Sequence, residues 1–200
     1  MEQPVFLFDL DSTVTKAELL PFVAQKTGCC PQMQALTEQA MMGQIPFEQS
    51  FAARVALLAH LPVARVRSLA AQLPLNRQVV SFIARHRQRC WIATGNLDLW
   101  VEALAERLGM QGRCYCSAAR LEDGRVAGVK TFLDKKALVR RFDRPVVAVG
   151  DGDNDAGMIE AAAVGIGFGG VRPIAPAVLR VADYAVYTQE ELCTLLERFV

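Results

Sequence analysis

The sequence PVFLFDLDST at residues 4–13 joins a short apolar run to two carboxylates that are separated by one residue. The apolar part is too short for a helix and is rich in phenylalanine and valine, so it predicts a buried β-strand. Asp9 and Asp11 follow directly, and desolvating a carboxylate is costly unless a cation or hydrogen bonds offset the charge. The two aspartates therefore either cap the next helix or hold a hard divalent cation such as Mg²⁺ at the carboxyl end of the strand.

From residue 76 onward the chain alternates between helical and strand-like patterns. Apolar runs at residues 90–93, 145–149 and 164–168 are separated by helical segments, and Asp123 with Gly124 predicts a hairpin turn. Strands that alternate with helices imply a parallel sheet with right-handed crossovers and with helices on both faces. We therefore expect an α/β fold, a Rossmann-like parallel sheet core with a short β-hairpin.

The region between the first strand and this alternating part is helical. Residues 15–75 carry four short helical patterns without a strand pattern, and the third has an apolar stripe within residues 47–58 at helical spacing. This arrangement predicts a small α-helical cap inserted after the first strand. The expected division is a core of residues 1–14 and 76–200 and a cap of residues 15–75.

Composition argues against several classes of function. The 200 residues include 22 basic and 21 acidic side chains, so there is no basic excess for nucleic acid or for an anionic membrane surface. No apolar run approaches the ~20 residues that span a bilayer. Two histidines and six cysteines without zinc-ribbon spacing disfavour a metal site of nitrogen and sulfur ligands. Without a signal-peptide pattern, we expect a reduced, cytoplasmic protein that is a monomer or a homodimer.

Polar side chains follow three of the predicted strands, at the point where each strand ends. They are Asp9 and Asp11, Thr94 and Asn96, and Asp151 and Asp155. The carboxyl ends of parallel strands lie along one edge of a sheet, where open α/β sheets bind their ligands. The sequence therefore predicts that these residues converge on one site.

Two short patterns suggest other sites but do not fit them. Residues 151–155 resemble the opening of an EF-hand calcium loop, but Ala156 replaces the required glycine and Ala162 replaces the distal glutamate. Residues 165–170 spell G-x-G-x-x-G, but Pro173 follows closely and no acidic residue lies about 20 positions further on. A glycine-rich turn beside the predicted site is the simpler interpretation.

Four motifs in a fixed order resemble those of the haloacid dehalogenase-like phosphatases. They are D-x-D-S-T at residues 9–13, T-G-N at residues 94–96 after a strand, Lys135 opening a helix, and G-D-G-x-N-D at residues 150–155. The resemblance covers essentially the whole chain. It implies the fold of that superfamily and a phosphomonoesterase that acts through an aspartyl-phosphate intermediate.

The resemblance also implies catalytic roles. Asp9 would be the nucleophile, and Asp11 would protonate the leaving alkoxide and then activate the hydrolytic water. Thr94 and Gly95, with the following backbone amides, would bind phosphate oxygens. Lys135 would hold the Asp9 carboxylate and neutralise the charge that develops on the phosphoryl group.

Mg²⁺ is the cofactor that the resemblance implies. Asp9, Asp151 and the backbone carbonyl of Asp11 would bind the ion, and Asp155 would support this set of ligands. The ion would offset the charge of the phosphate group and orient it.

The choice between two adjacent lysines follows from helical spacing. If Lys135 opens the helix, Leu138, Val139 and Phe142 share its face. That face is apolar and directed to the core, so we expect Lys135 at the buried site and Lys136 in solvent.

The sequences AMMG, FEQS and RVALL in the cap look like the helical cap of phosphoserine phosphatases. By this resemblance Glu18 would pair with the substrate ammonium and Arg54 would bind its carboxylate. Met41 and Phe47 would close an apolar lid that excludes water. The alternative is that Glu18 and Arg54 form a surface salt bridge and that Met41 and Phe47 are cap core.

One motif departs from the family pattern, which usually has Ser-Gly-Gly at residues 94–96. Thr94 keeps the hydroxyl group, so phosphate binding should be retained. Asn96 places a side chain next to the expected path of the amino-acid end of the substrate. Asn154 is the other asparagine that we expect to contact substrate.

These features predict a Mg²⁺-dependent phosphomonoesterase for a small-molecule phosphate ester, with O-phosphoserine as the leading substrate. Asn96 would favour a first alternative, a phosphatase of the same type for another small phosphorylated metabolite. A second alternative is a phosphotransferase that passes the phosphoryl group to an acceptor other than water. A third is a non-catalytic module that binds a phosphorylated ligand, although the chain keeps every group that the chemistry needs.

Overall fold

The computed structural model of the protein describes residues 3–28, 30–41 and 43–200. Its strands are β1 (Val5–Phe8), β2 (Cys90–Leu97), β3 (Cys114–Glu122), β4 (Arg125–Thr131), β5 (Val146–Gly150), β6 (Val164–Phe168) and β7 (Tyr184–Val186). Within the described residues they form one sheet in the order β4-β3-β2-β1-β5-β6-β7. Neighbouring strands are parallel except β3 and β4, which form the antiparallel hairpin predicted at Asp123 and Gly124. The predicted α/β fold is confirmed.

Helices cover both faces of the sheet and form the insertion after β1. They are α1 (Leu19–Thr27), α2 (Cys30–Met41), α3 (Phe47–Leu58), α4 (Val63–Ala70), α5 (Arg77–Arg85), α6 (Asp98–Arg107), α7 (Lys135–Val139), α8 (Ala156–Ala161), α9 (Pro176–Val181) and α10 (Gln189–Leu196). Helices α1–α4 follow one another without a strand between them in the described ranges, as predicted. None of the described helices has both the length and the hydrophobicity to cross a bilayer.

Strand β1 lies at the centre of the sheet and is buried on both faces. Phe6 and Phe8 point to one face, where their ring centroids lie 5.1 and 6.2 Å from that of Phe82 on α5. Val5 and Leu7 belong to a second core cluster on the other face. Burial on both faces explains why the strand is a continuous apolar run rather than an alternating one.

The two chain segments that join the cap to the core run side by side. Thr15 pairs with Leu75 in an antiparallel bridge, and Lys16 N–H donates to the carbonyl of Pro74 at 2.7 Å. The side-chain amide of Asn76 donates to the carbonyl of Thr13 at 2.8 Å. These contacts support the division at residues 14–15 and 75–76, which stays a prediction.

Helix ends largely follow local sequence signals. Gly28 ends α1 in the left-handed conformation, with φ +82°, as the sequence predicts. A capping box opens α10, because Thr188 Oγ1 accepts from Glu191 N–H and Glu191 Oε2 accepts from Thr188 N–H. Asp134 caps α7 by accepting from Ala137 N–H at 2.8 Å.

Strand β2 is longer than predicted. The apolar run predicts a strand at residues 90–93 that ends in Thr94, Gly95 and Asn96. The structure continues the strand to Leu97, with a register shift against β3 after Thr94. Pairing with β3 depends on tertiary structure, so the local sequence pattern underestimates the length of β2.

Candidate active site

The turn after β1 brings two carboxylates to one pocket. Asp9 N–H still donates to the carbonyl of Val149 at 2.8 Å, which extends the pairing of β1 with β5. The chain then makes a wide turn in which Ser12 has φ +60°, an uncommon conformation for a residue other than glycine. After this turn both Asp9 and Asp11 line the same pocket.

Lys135 bridges two buried carboxylates. Its Nζ atom lies 2.5 Å from Asp9 Oδ1 and 2.6 Å from Asp155 Oδ1. Burial acts to lower the pKa of Lys135, but the adjacent charges of Asp155 and Asp9 raise it overall, so the ammonium group is retained. Lys136 instead pairs at 2.6 Å with Glu160, in solvent. The geometry supports the choice of Lys135 over Lys136.

Three buried aspartates form a cluster that could hold a metal ion. Oxygen atoms of Asp9, Asp151 and Asp155 all lie within 4.8 Å of one another. Asp155 Oδ2 accepts hydrogen bonds from the N–H groups of Asp151 and Gly152, at 3.0 and 2.9 Å, and its Oδ1 binds Lys135. Both oxygens of Asp155 are therefore engaged, which suits a supporting role. The carboxylate oxygens fit a hard divalent cation, and the geometry does not select one element.

Burial dominates the protonation of this cluster. It raises the pKa of Asp9 to about 7, with the charge of Asp155 adding to the effect and Lys135 opposing it. Burial, Glu18 and Asp9 together raise the pKa of Asp11 well above its ordinary value. Burial also raises the pKa of Asp151, although Arg172 opposes the shift. A raised pKa suits Asp11 as a proton donor.

Asn96 connects Asp11 to Thr94. Its Nδ2 atom lies 2.9 Å from Asp11 Oδ2 and 3.1 Å from Thr94 Oγ1. The second oxygen of Asp11 accepts from Leu19 N–H, the first residue of α1, at 3.2 Å. The sequence predicts that Asn96 lies beside the amino-acid end of a substrate. In the structure its amide instead contacts Asp11, the predicted acid–base residue, and Thr94, a predicted phosphate-binding residue.

Phe47 covers Gly95 in the lining of the pocket. A Cβ atom placed on Gly95 would lie 2.4 Å from Phe47 Cζ, so the ring rests directly on the glycine. The ring of Phe47 is also stacked on that of Phe51, with centroids 5.4 Å apart. Helix α3 therefore closes the pocket over β2.

Arg54 is a buried cation with few partners. It is 4% exposed, and its Nη1 atom donates to Thr37 Oγ1 at 3.3 Å. Its Nε atom has no hydrogen-bond partner among the described residues. Burial lowers the pKa of Arg54, with Glu18 and Asp11 opposing the shift. The alternative of a surface salt bridge between Glu18 and Arg54 is wrong for the described residues, because Arg54 is buried and Glu18 pairs elsewhere.

Arg172 is the partner of Glu18, and sequence reasoning missed it. Its Nη1 atom lies 2.9 Å from Glu18 Oε1, and its Nε atom donates to Asp151 Oδ2. Glu18 Oε1 also accepts from Ser12 Oγ at 3.1 Å. Arg172 follows β6, so its position after a fourth strand end was the available signal.

The pocket contains most of the predicted site residues around an enclosed space of about 30 Å³. Its lining residues are Asp9, Asp11, Glu18, Phe47, Phe51, Arg54, Thr94, Gly95, Asn96, Asn154 and Arg172. Lys135, Asp151 and Asp155 do not line it, but Lys135 contacts Asp9, and the two aspartates belong to the cluster around Asp9. The side chain of Met41 lies outside the described part of the structure. Phe51 and Arg172 are lining residues that the sequence did not predict.

Curated relatives of this chain include two phosphoserine phosphatases. The one from Archaeoglobus fulgidus is 30% identical, over 84% of this chain and 53% of that protein. The one from Streptomyces coelicolor is 33% identical, over 97% of this chain and 50% of that protein. The chain therefore spans about half the length of these two relatives.

A solved structure described as a phospho-aspartyl intermediate analogue of phosphoserine phosphatase has the same fold. Its TM-score is 0.82 at 24% sequence identity, and the match covers 98% of this chain and 99% of that chain. The family model for haloacid dehalogenase-like hydrolases matches residues 6–160, from β1 into α8. This chain belongs to the haloacid dehalogenase-like hydrolase family.

Proposed function

We propose that the chain is a Mg²⁺-dependent phosphomonoesterase that hydrolyses O-phosphoserine through an aspartyl-phosphate on Asp9. The observation that carries this proposal is the placement of Asp9 in the pocket, with Lys135 on its Oδ1 atom at 2.5 Å. Asp9 Oδ2 makes no hydrogen bond to the described residues and is available to attack phosphorus. The names of the relatives support phosphoserine as substrate.

In the first step Asp9 Oδ2 attacks the phosphorus atom and the bond from phosphorus to the ester oxygen breaks. The electron pair of that bond goes to the leaving alkoxide, which takes a proton from Asp11. Burial raises the pKa of Asp11, which favours the protonated carboxyl group that this step needs. Lys135 keeps the Asp9 carboxylate oriented while the charge moves onto the phosphoryl oxygens.

In the second step Asp11 accepts a proton from a water molecule that attacks the phosphorus of the aspartyl-phosphate. Phosphate leaves, the Asp9 carboxylate is restored, and Asp11 is again protonated. Thr94 and the Gly95 N–H group would hold the phosphoryl oxygens through both steps. The ring of Phe47 over Gly95 would exclude other water from this end of the pocket.

The metal ion would be bound by Asp9, Asp151 and the backbone carbonyl of Asp11. Asp155 would orient these ligands through Lys135 and through the backbone N–H groups of Asp151 and Gly152. When bound, the ion offsets the negative charge of the phosphate group.

The cap supplies complementary charges for an amino-acid phosphate. Arg54 is buried beside the pocket with its Nε atom unpaired among the described residues, so a substrate carboxylate would satisfy it. Glu18 Oε2, which accepts no hydrogen bond from the described residues, would bind the ammonium group.

A second candidate is a phosphatase for a small carboxylated phosphate ester without an ammonium group. The observation that favours it is the ion pair between Glu18 and Arg172, at 2.9 Å. Arg172 neutralises part of the charge that an ammonium group would need, while Arg54 stays free to bind a carboxylate.

Phosphate release from three small esters tests the proposal. O-phosphoserine has both an ammonium and a carboxylate, 3-phosphoglycerate has a hydroxyl in place of the ammonium, and O-phosphoethanolamine lacks the carboxylate. With Mg²⁺ present and Asp9→Asn as the blank, kcat/KM should be highest for O-phosphoserine. A clear preference for 3-phosphoglycerate would select the second candidate, and no release above the blank would contradict both.

A further inference from the structure

Asn96 makes three polar contacts through its buried side chain and its own backbone N–H group. It is 4% exposed, its Nδ2 atom contacts Asp11 Oδ2 and Thr94 Oγ1, and its N–H group also donates to Thr94 Oγ1 at 3.1 Å. An amide nitrogen has two hydrogens, and both have acceptors here. Asn96 is therefore fixed between the two residues rather than free to follow a substrate.

These contacts determine which hydrogen-bonding positions of the Thr94 hydroxyl group are occupied. A hydroxyl group has one donor hydrogen and two acceptor lone pairs. Both acceptor positions of Thr94 are filled by Asn96, one by its N–H group and one by Nδ2. The hydroxyl hydrogen of Thr94 has no acceptor among the described residues. It is therefore available to an acceptor in the pocket that Thr94 lines.

Asp11 is fixed by two donors on different parts of the fold. Leu19 N–H at the start of α1 binds Oδ1 at 3.2 Å, and Asn96 Nδ2 at the end of β2 binds Oδ2 at 2.9 Å. With one donor on each oxygen, the plane of the carboxyl group is set. Removing the Asn96 amide would leave a single donor and free the group to rotate.

We propose that Asn96 is a positioning residue for the leaving-group step. Its amide orients the Asp11 carboxyl group toward the ester oxygen and, by filling the acceptor positions of Thr94, directs the Thr94 hydrogen toward a phosphate oxygen. This role rests on the proposed function, in which Asp11 is the general acid. It differs from the sequence-based expectation that Asn96 contacts the amino-acid end of the substrate.

Dependence on the leaving group separates this role from a structural one. An ester whose leaving oxygen is strongly basic needs a proton from Asp11, whereas a weakly basic phenolate leaves without one. The test is kcat/KM, which reports the steps up to release of the first product, for O-phosphoserine and for aryl phosphates whose phenols differ in acidity. The variants are Asn96→Gly, which removes the side chain, and Asn96→Asp, which keeps its shape but replaces the donor by an acceptor.

Both variants should lower kcat/KM about tenfold for the most basic leaving groups and by much less for the most acidic phenols. Tenfold is a fraction of the roughly 10²–10⁴-fold that general acid–base catalysis contributes. The dependence on leaving-group acidity should become steeper than in the unmodified enzyme. Arg180→Ala is the control, because Arg180 is exposed and lies outside the pocket lining, and it should leave this dependence unchanged.

Two results would overturn the proposal. A common loss for all esters, with the dependence unchanged, would make Asn96 a structural residue. A loss confined to O-phosphoserine would place its side chain at the amino-acid end of the substrate. Failure of the unmodified enzyme to hydrolyse any ester would instead contradict the proposed function on which the role rests.

Discussion

Arg172 joins the acidic cluster to Glu18 in the pocket lining. It is the counter-ion of both Asp151, which is fully buried, and Glu18, which is half-buried in the lining. Without it, five carboxylates at this edge of the sheet would share Lys135 and Arg54 as nearby cations. A buried carboxylate that loses its partner is destabilising, because its desolvation is no longer offset.

We therefore expect Arg172→Ala to destabilise the metal-free protein by about 1–3 kcal/mol, less than for a fully buried pair because Arg172 is partly exposed. With Asp151 freed, Mg²⁺ should also raise the melting temperature more than in the unmodified protein. Thermal unfolding in chelator and in Mg²⁺ measures both effects, with Arg180→Ala on exposed α9 as control. Equal melting temperatures for the two variants in chelator would show that the contact is not stabilising.

Arg54 should act on substrate binding rather than on chemistry. Arg54→Ala removes the cation that would bind the substrate carboxylate, so KM for O-phosphoserine should rise roughly 100-fold, as for loss of a buried charge pair. KM for p-nitrophenyl phosphate, which has no carboxylate, should change little. Steady-state kinetics on the two esters gives the comparison, and equal increases in KM would remove Arg54 as the carboxylate ligand.

At the level of single residues, the sequence predicts the site well where a side chain follows a strand end. Asp9 and Asp151 are of this kind, since the edge of a parallel sheet collects them. Arg172 follows a strand end too, but an arginine in a turn is ordinarily a solvated residue. Its two acidic partners are 21 and 154 positions away in sequence, and only the folded chain brings them together.

Helix α3 and strand β2 meet at one contact, where Phe47 at the start of the helix rests on Gly95. Any side chain at residue 95 would occupy the space of the ring, because a Cβ atom there would be 2.4 Å from Cζ. The closed position of this helix therefore depends on the glycine.

Gly95→Ala should lower kcat/KM for every ester by at least about tenfold, because helix α3 must shift away from β2. In a chain that already carries Phe47→Ala, the same change should have a small effect, since the ring is gone. The double-mutant cycle measures this coupling. A loss of the same size in both backgrounds would mean that Gly95 is needed for another reason, such as its own N–H group.

The ends of helices are predicted most accurately where a residue close in sequence pairs with the free backbone groups of the helix end. Gly28 and the pair of Thr188 and Glu191 act within a few residues, so the sequence is sufficient. The end of β2 is different, because Leu97 pairs with Ser117 on β3 beyond a register shift. Strand-pairing partners that lie twenty residues apart in sequence cannot be recognised from the local pattern of polar and apolar residues.

The whole molecule concentrates buried acidic groups at one edge of its sheet, and this has a consequence for stability. The pKa of Asp9 is raised from 3.8 to about 7, and those of Asp11 and Asp151 are also raised, in each case chiefly by burial. A group with a raised pKa in the folded state stabilises it fully below the unfolded pKa. That contribution is lost as the pH rises through the folded value.

The metal-free protein should therefore lose stability from this cluster as the pH rises from about 4 to about 7. Mg²⁺ should restore it, so the rise in melting temperature on adding Mg²⁺ should be larger at about pH 8 than at about pH 5. Asp9→Asn lacks the carboxyl group whose pKa is raised to about 7. In chelator, its melting temperature should therefore fall less steeply with rising pH. Thermal unfolding across this pH range checks the direction of the change in stability. A Mg²⁺ effect on the melting temperature that does not depend on pH would contradict the prediction.

The nucleophilic role of Asp9 is open to direct chemical detection. The protein is mixed with O-phosphoserine and Mg²⁺, quenched in acid during turnover, digested, and analysed by mass spectrometry. The proposed mechanism predicts a phosphoryl group on the peptide that contains Asp9, and none on that peptide in Asp9→Asn. Turnover of O-phosphoserine with the phosphoryl group on another residue, or with Asp9→Asn still active, would contradict it.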